Sequence, residues 1–114
     1  MVISVHMNKF SSPSRSGPQV FFEESSEAGK LFAQKMQAVL NDFTGNKHSA
    51  LAGDYFMLKC TESPSIIVEC GFLSNAEDER KLINKDYQRQ LAEKIFNGAL
   101  LYISGAGINV GRVA

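Results

Sequence analysis

The feature that most constrains the fold of this chain is a short β-branched run that ends in a carboxylate, within the segment 65–75. The run 66–68 follows Pro64, which is typical of a strand buried on both faces. Glu69 comes next, so the sequence predicts a glutamate at the carboxyl end of a central strand. Ligands bind at that edge in open α/β sheets. An ionised glutamate near a packed core must be paired, solvated in a cleft or bound near a metal, unless it simply turns outward into water.

The residues after Glu69 indicate a turn and then a helix. Gly71 allows a sharp exit from the strand. Ser74 and Glu77 have the Ser-x-x-Glu spacing of a capping box, which predicts a helix over 76–83. Glu69 is therefore expected just before a strand-to-helix turn.

The rest of the chain alternates between strand-like and helical segments. β-branched and aromatic runs predict four strands, at 2–5, 19–22, 55–60 and 66–68. Caps and apolar periodicity predict three helices, one that begins after Ser25 or Ser26 and reaches Phe43, one at 76–83 and one at 85–104. This order predicts an α/β fold in which a mixed, mainly parallel sheet is flanked by helices. We expect one domain over residues 1–104 and a frayed tail over 105–114.

The composition excludes several classes of protein. A chain of 114 residues with 44% hydrophobic content is typical of one globular domain. Twelve basic residues balance twelve acidic ones, so the charge favours neither nucleic acid nor an anionic membrane as a partner. The chain opens in a strand-like run, and it contains neither the pattern of a signal peptide nor that of a membrane span.

Two cysteines are too few for a disulfide framework. Cys60 and Cys70 lie ten residues apart without a Cys-x-x-Cys pair, and we interpret both as core thiols. The alternative is a cysteine-dependent hydrolase in which Cys70, at a helix amino terminus, is the nucleophile and His6 the base. The Gly-x-Cys-x-Gly elbow that would expose such a sulfur is not present.

A histidine ends the first predicted strand and adds a second candidate to the site. Neighbouring strands would bring His6 to the same edge of the sheet as Glu69, and that pair indicates metal-assisted hydrolysis. A catalytic zinc site needs three protein ligands and an open position for water. The only other imidazole, His48, lies in the polar loop 45–49, where a solvated surface histidine is the simpler interpretation. The residues alone therefore leave the chemistry open.

Four segments together give the chain a family resemblance. They are Ser-Val-His-Met-Asn at 4–8, Gly-Pro-Gln-Val-Phe-Phe at 17–22, Tyr-Phe-Met-Leu-Lys at 55–59 and Val-Glu-Cys-Gly-Phe-Leu-Ser-Asn at 68–75. In this order and spacing they resemble the carboxy-terminal part of the zinc-dependent N-acetylmuramoyl-L-alanine amidases, which are cell-wall hydrolases. The resemblance extends to about Ile103 and is strongest to the germination-specific sporulation type.

The resemblance implies a role for four residues and a reaction. His6 would be a zinc ligand, Glu69 the catalytic acid/base, and Asn8 and Gln19 substrate-binding residues near the cleft. The implied reaction cuts the amide that joins N-acetylmuramic acid to L-alanine in peptidoglycan, on the extracytoplasmic side, in the cell wall or spore cortex.

One departure from the family pattern bears on activity. The resemblance implies two further zinc ligands, a His and a Glu, in an amino-terminal segment that also holds the first strands of the sheet, and this chain begins after the position of that segment in the family pattern. The isolated chain would then be inactive and would expose a sheet edge that favours self-association. A catalytically incomplete fragment, or a remnant that binds peptidoglycan without cutting it, is the main alternative to an enzyme.

Overall fold

A four-stranded mixed sheet lies at the centre of the computed structural model, which describes residues 1–9 and 12–105. The strands are β1 (Val2–Asn8), β2 (Gln19–Phe22), β3 (Leu51–Ala52) and β4 (Ser65–Phe72). The helices are α1 (Glu27–Thr44), α2 (Phe56–Lys59), α3 (Ala76–Leu82) and α4 (Lys85–Gly105). The predicted tail at 105–114 lies outside the described residues, except for Gly105, which belongs to α4.

The strand order of the sheet is β1-β4-β2-β3. β1 runs parallel to β4, β4 antiparallel to β2, and β2 parallel to β3. The predicted α/β fold, with a mixed and mainly parallel sheet flanked by helices, is confirmed. None of the helices in the described part of the chain is both long and apolar enough to cross a membrane.

β4 is buried along its whole length, and its two faces differ in chemistry. Successive side chains of a strand point to opposite faces of the sheet. Ile66, Val68 and Cys70 belong to the hydrophobic core that α1 and α4 cover. Glu69 therefore lies on the other face, together with Ile67. The central strand thus separates the apolar core from the carboxylate.

The packing of α1 against α4 closes the core beneath the sheet. α1 begins after Ser26, whose Oγ accepts the backbone N–H of Gly29 at 2.9 Å, so Ser26 is the cap of the two predicted candidates. The ring of Phe32 on α1 stacks on that of Tyr102 on α4, with 4.5 Å between centroids. This helical layer packs against the strands that carry the polar face.

Three sequence predictions about strand ends are wrong. β1 continues through His6 to Asn8, and β4 continues through Glu69 and Gly71 to Phe72, because the two strands go on pairing. Neither His6 nor Glu69 is thus the last residue of its strand, and Gly71 is not in the exit turn. β1 extends two residues beyond His6, and β4 extends three residues beyond Glu69.

The cap of α3 also differs from the predicted one. Asn75, and not Ser74, caps this helix, since its Oδ1 accepts the backbone N–H groups of Glu77 at 3.1 Å and of Asp78 at 3.0 Å. The Ser-x-x-Glu pattern correctly predicts a helix start but places the cap one residue early.

The predicted strand at 55–60 is instead the short helix α2. A helical turn buries Leu58 alone and lets Lys59 pair with Asp54, whereas a strand would bury alternate residues. The same turn leaves Cys60 exposed, so Cys60 is not the core thiol that we predicted. The edge strand next to β2 is β3, a segment without a recognisable strand pattern.

Candidate active site

Pairing across three strands aligns three of the predicted site residues in one row. His6 of β1 lies opposite Glu69 of β4, and Gln19 of β2 lies opposite Glu69 on the other side. Residues that are paired across strands present their side chains on the same face. The expectation that His6 and Glu69 meet at one part of the sheet is therefore met, although both lie within their strands.

Among the described residues, Asn8 holds both oxygens of the Glu69 carboxylate. Its Oε1 accepts a hydrogen bond from the Asn8 side-chain Nδ2 at 2.7 Å, and its Oε2 accepts the Asn8 backbone N–H at 3.2 Å. Glu69 is only 2% exposed. A buried carboxylate with both oxygens engaged keeps one orientation, which suits a group that must reach a fixed reaction centre.

A β-bulge brings Asn8 to that carboxylate. His6 lies opposite Glu69, but Asn8 lies opposite Phe72, so a step of two residues on β1 matches a step of three on β4. Pairing resumes beyond the bulge, where the Leu73 N–H donates to the Asn8 carbonyl at 3.0 Å. Bulges redirect side chains and are common beside active sites, and this one turns Asn8 toward Glu69.

The surroundings of Glu69 favour its protonated form. Burial raises the pKa of the Glu69 carboxyl, and the Asn8 backbone N–H and the charge of His6 oppose that rise. A general acid/base works best when its pKa lies near the working pH. Burial and then the charge of Glu69 raise the pKa of the Tyr55 hydroxyl, so Tyr55 belongs to the same electrostatic environment.

His6 is accessible from solvent and has a hydrogen-bond partner on its own strand. The distance from its Nε2 to the Ser4 Oγ is 2.6 Å. The two side chains lie on the same face because they are two residues apart on β1. An exposed imidazole next to a carboxylate is a suitable metal ligand.

Gln19 is buried, and its amide is bonded to the protein. Its Nε2 donates to the Ser49 carbonyl at 2.7 Å and to Gln37 Oε1 at 3.2 Å, and its Oε1 accepts from Arg15 Nη2 at 2.9 Å. With 1% of its surface exposed, Gln19 orders the start of β2. Its contact with substrate stays a prediction.

Two polar residues that the sequence analysis did not assign to the site stabilise its surroundings. Gln37 on α1 accepts the Val20 N–H at 2.8 Å and donates to the Pro18 carbonyl at 3.0 Å. Asp78 on α3 accepts the backbone N–H groups of Gly17 and Phe72, each at 2.9 Å. The available signal was a polar side chain at a core-facing position of an amphipathic helix, which must find a partner when buried.

The interpretation of His48 as a solvated surface histidine is corrected. His48 is half-buried, and its Nε2 lies 2.7 Å from the Ser16 carbonyl oxygen. The loop before β2 folds over it, a tertiary contact that local polarity does not reveal. His48 therefore anchors this loop to the segment after α1.

The thiol mechanism does not fit the position of Cys70. Cys70 is 5% exposed and lies in the core, on the face of β4 opposite to Glu69. Burial raises the pKa of the Cys70 thiol to about 11, whereas a nucleophilic cysteine needs a lowered pKa and access to solvent. The prediction that Cys70 is a core thiol is confirmed.

The described residues do not make a complete metal site. Across 1–9 and 12–105, no group of three or more His, Cys, Asp or Glu side chains is placed to hold an ion. His6 and Glu69 fall short of the three protein ligands of a catalytic zinc.

A mixed α/β sheet that carries a buried, hydrogen-bonded carboxylate beside an accessible imidazole is an arrangement suited to general acid/base chemistry. The comparisons with known proteins identify the family. The chain belongs to the N-acetylmuramoyl-L-alanine amidase family, whose model matches residues 1–100. Members of this family are generally zinc-dependent.

Individual relatives agree with this assignment. The germination-specific N-acetylmuramoyl-L-alanine amidase of Bacillus subtilis is 31% identical over 111 residues, which cover 94% of this chain and 46% of that protein. The structure of the CwlD amidase from Clostridioides difficile, in complex with the GerS lipoprotein, has a TM-score of 0.83 at 28% identity and covers 90% of this chain and 53% of that one. The catalytic domain of CwlV from Bacillus (Paenibacillus) polymyxa has a TM-score of 0.80 at 30% identity, with 90% and 57% coverage.

The matched region is only part of each relative. The chain spans about half the length, or less, of the curated relatives that it matches. The similarity to the germination-specific type that the sequence indicated is confirmed.

Proposed function

We propose that this chain supplies the acid/base part of a peptidoglycan amidase site, in a protein that hydrolyses the amide between N-acetylmuramic acid and L-alanine. The observation that carries the proposal is the Glu69 carboxylate, fixed through both oxygens by Asn8 and paired in register with His6. Family membership supplies the bond that is cut.

The proposed chemistry uses Glu69 twice. The carboxylate first takes a proton from the attacking water, whose oxygen forms a bond to the amide carbon. Glu69 then gives that proton to the departing L-alanine nitrogen as the carbon–nitrogen bond breaks. The products are a free lactyl carboxylate and a free amino group. A carboxyl whose pKa is raised by burial suits both steps, because it must gain and lose a proton in each turnover.

His6 is proposed as one zinc ligand of the complete site. The other two, a His and a Glu, would come from a segment outside the described residues. Because a single imidazole does not make a zinc site, we assign no step of the reaction to the ion from this chain alone.

The proposed substrate is peptidoglycan, reached on the extracytoplasmic side in the cell wall or the spore cortex. This location rests on the relatives, among which a germination-specific enzyme and a CwlD amidase occur. A role in sporulation or germination is the finer form of the same proposal.

Self-association through the outer edge of the sheet is also proposed. β1 is the terminal strand of the described sheet, and Val5 and Met7 on it are 55% and 53% exposed. An uncharged, exposed edge favours pairing with another strand. Sedimentation velocity of the isolated chain should therefore show dimers or larger species, and Val5→Lys should reduce them. A monomer at every concentration would contradict this expectation.

The test of the whole proposal is reconstitution. The chain is purified alone and together with an amino-terminal segment from a relative that supplies a His and a Glu, and both zinc content and hydrolysis of purified peptidoglycan are measured. We expect neither stoichiometric zinc nor turnover from the chain alone, and both from the pair. In the pair, Glu69→Gln should keep zinc and lower turnover by at least ~10²-fold.

Three outcomes would contradict parts of this proposal. Near-normal turnover of Glu69→Gln would remove the catalytic assignment. Binding of peptidoglycan by the zinc-loaded pair without any hydrolysis would favour a binding remnant. One zinc and full activity in a monodisperse, isolated chain would show that the ligands are miscounted, with His48 the first residue to re-examine.

A further inference from the structure

Asn8 makes its two contacts with Glu69 through different parts of the residue, its backbone N–H and its side-chain amide. Building on the proposed function, we propose that Asn8 is a positioning residue that fixes the Glu69 carboxylate for proton transfer, and not the substrate-binding residue that the family resemblance implied.

The geometry of the pair fixes the orientation of the carboxylate. One donor engages each oxygen, at 2.7 Å for Oε1 and 3.2 Å for Oε2. Rotation of the carboxyl group, or a change of Glu69 rotamer, would break both bonds at once. Groups that transfer protons depend on such alignment, and supporting contacts from neighbouring residues supply it.

A backbone hydrogen bond at the end of β4 also holds Asn8 itself in place. Its carbonyl accepts the Leu73 N–H at 3.0 Å, so the residue is fixed to β4 both before and after the bulge. One of the two N–H donors of the Asn8 side-chain amide is bonded to Glu69 Oε1. The side-chain amide thus already serves the catalytic carboxylate.

The sequence around the bulge shows why this arrangement can form. Gly71 lies on β4 within the extra step, and a Cβ added there would come within 3.1 Å of Leu82 Cδ1 and 3.2 Å of Asp78 Oδ2. With glycine at this position, Asp78 can approach closely and bind the Phe72 N–H at 2.9 Å. The end of β4 is thereby held in the position that places Asn8 next to Glu69.

The first test is kinetic and uses the reconstituted, zinc-loaded protein. Asn8→Ala should lower kcat by about 10- to 100-fold, the usual loss when a supporting partner is removed, with KM and zinc content unchanged. In the Glu69→Gln background the same substitution should cost less than ~2-fold more, because a residue that acts through Glu69 has nothing left to position.

Asn84→Ala is the matched control. Asn84 caps α4 through a 2.9 Å bond from the Tyr87 N–H, and it is exposed. The substitution removes an asparagine side chain and a hydrogen bond of similar length but does not touch the site. We expect its kcat to stay within ~2-fold of the unmodified protein, since loss of a helix cap affects stability.

The second test needs no activity and uses the chain as it is. The Asn8 Nδ2 proton that is bonded to Glu69 Oε1 at 2.7 Å should resonate downfield in NMR spectra and exchange slowly with water, because a short hydrogen bond deshields its proton and protects it from exchange. Glu69→Ala should return both properties to those of a solvated asparagine.

The outcomes separate this inference from the proposed function. A rise in KM at constant kcat, an equal loss of kcat in the Glu69→Gln background, or Asn8 amide signals that Glu69→Ala leaves unchanged would each overturn the positioning role alone. Near-normal turnover of Glu69→Gln would overturn the proposed function together with it.

Discussion

Asp78 Oδ2 accepts the backbone N–H of Gly17 across 61 residues of sequence, in a buried 2.9 Å hydrogen bond. The same oxygen accepts the Phe72 N–H, also at 2.9 Å. One carboxylate on α3 thus joins the loop before β2 to the end of β4, and it does so next to the bulge that orients Asn8.

The first prediction concerns this junction. Asp78→Ala leaves two buried backbone N–H groups unpaired, and each unpaired group costs about 1–3 kcal/mol. We expect the free energy of unfolding to fall by about 2–4 kcal/mol, as measured by urea denaturation of the chain. Asp86→Ala, at an exposed position in the first turn of α4, is the control and should change it by less than about 0.5 kcal/mol. Equal stability of the two variants would contradict a structural role for Asp78.

The second prediction is a pH dependence of stability that depends on Glu69. Burial raises the pKa of this carboxyl above its ordinary value of 4.5 in the folded state, so the folded protein holds the proton to higher pH than the unfolded chain. Its contribution to stability is therefore complete below that value and is lost as pH rises through the folded pKa. Relative to Glu69→Gln, the unmodified chain should become less stable from pH 4 to pH 7.

Urea denaturation of both forms at a series of pH values measures this difference. Below the ordinary pKa, both states of the unmodified chain are protonated, and the difference between the two forms should be constant, which serves as the internal control. A difference that is flat or rises between pH 4 and pH 7 would contradict the effect of burial.

The third prediction distinguishes the two thiols. Cys60 is exposed and Cys70 is buried, so at neutral pH a thiol reagent should modify one cysteine quickly and the other only after unfolding. Cys60→Ser should abolish the fast reaction. Rapid labelling of Cys70 in the folded Cys60→Ser chain would show that the core opens on the timescale of the reaction.

The fourth prediction tests the role of Cys70 as a small core residue. Cys70→Ala should keep most of the turnover of the reconstituted protein and change the free energy of unfolding by roughly 1 kcal/mol. Thermal denaturation and peptidoglycan hydrolysis measure the two effects separately. Complete loss of activity, with folding and zinc content intact, would restore the thiol mechanism.

Local sequence patterns predicted the parts of the fold that local forces determine. The cap at Ser26, the β-branched run of β4 and the apolar periodicity of α4 each depend on neighbours within a few residues, and the corresponding elements were found. The prediction for segment 55–60 was wrong, because an aromatic and aliphatic run of that length is compatible with either a strand or a helical turn. The burial of Leu58, a tertiary contact, accompanies the helical turn.

The candidate site was predictable in its members but not in its contacts. The resemblance indicated His6, Asn8, Gln19 and Glu69, and strand order places three of them in one row. The bond from Asn8 to Glu69 depends on a one-residue bulge between strands that are more than 50 residues apart in sequence. No local pattern encodes such a register shift, which arises only when the two strands and α3 pack together.

The two faces of β4 have a consequence for how this chain tolerates change. Even-numbered positions from Ile66 to Cys70 lie in the core, whereas Glu69 is on the other side of the strand. A saturation scan of the strand should therefore yield two interleaved profiles with a period of two residues, in which substitutions at 66, 68 and 70 reduce the yield of folded protein and those at 69 reduce turnover per folded molecule. Neighbouring codons would then evolve under separate selective pressures, one for persistence of the fold and one for the reaction.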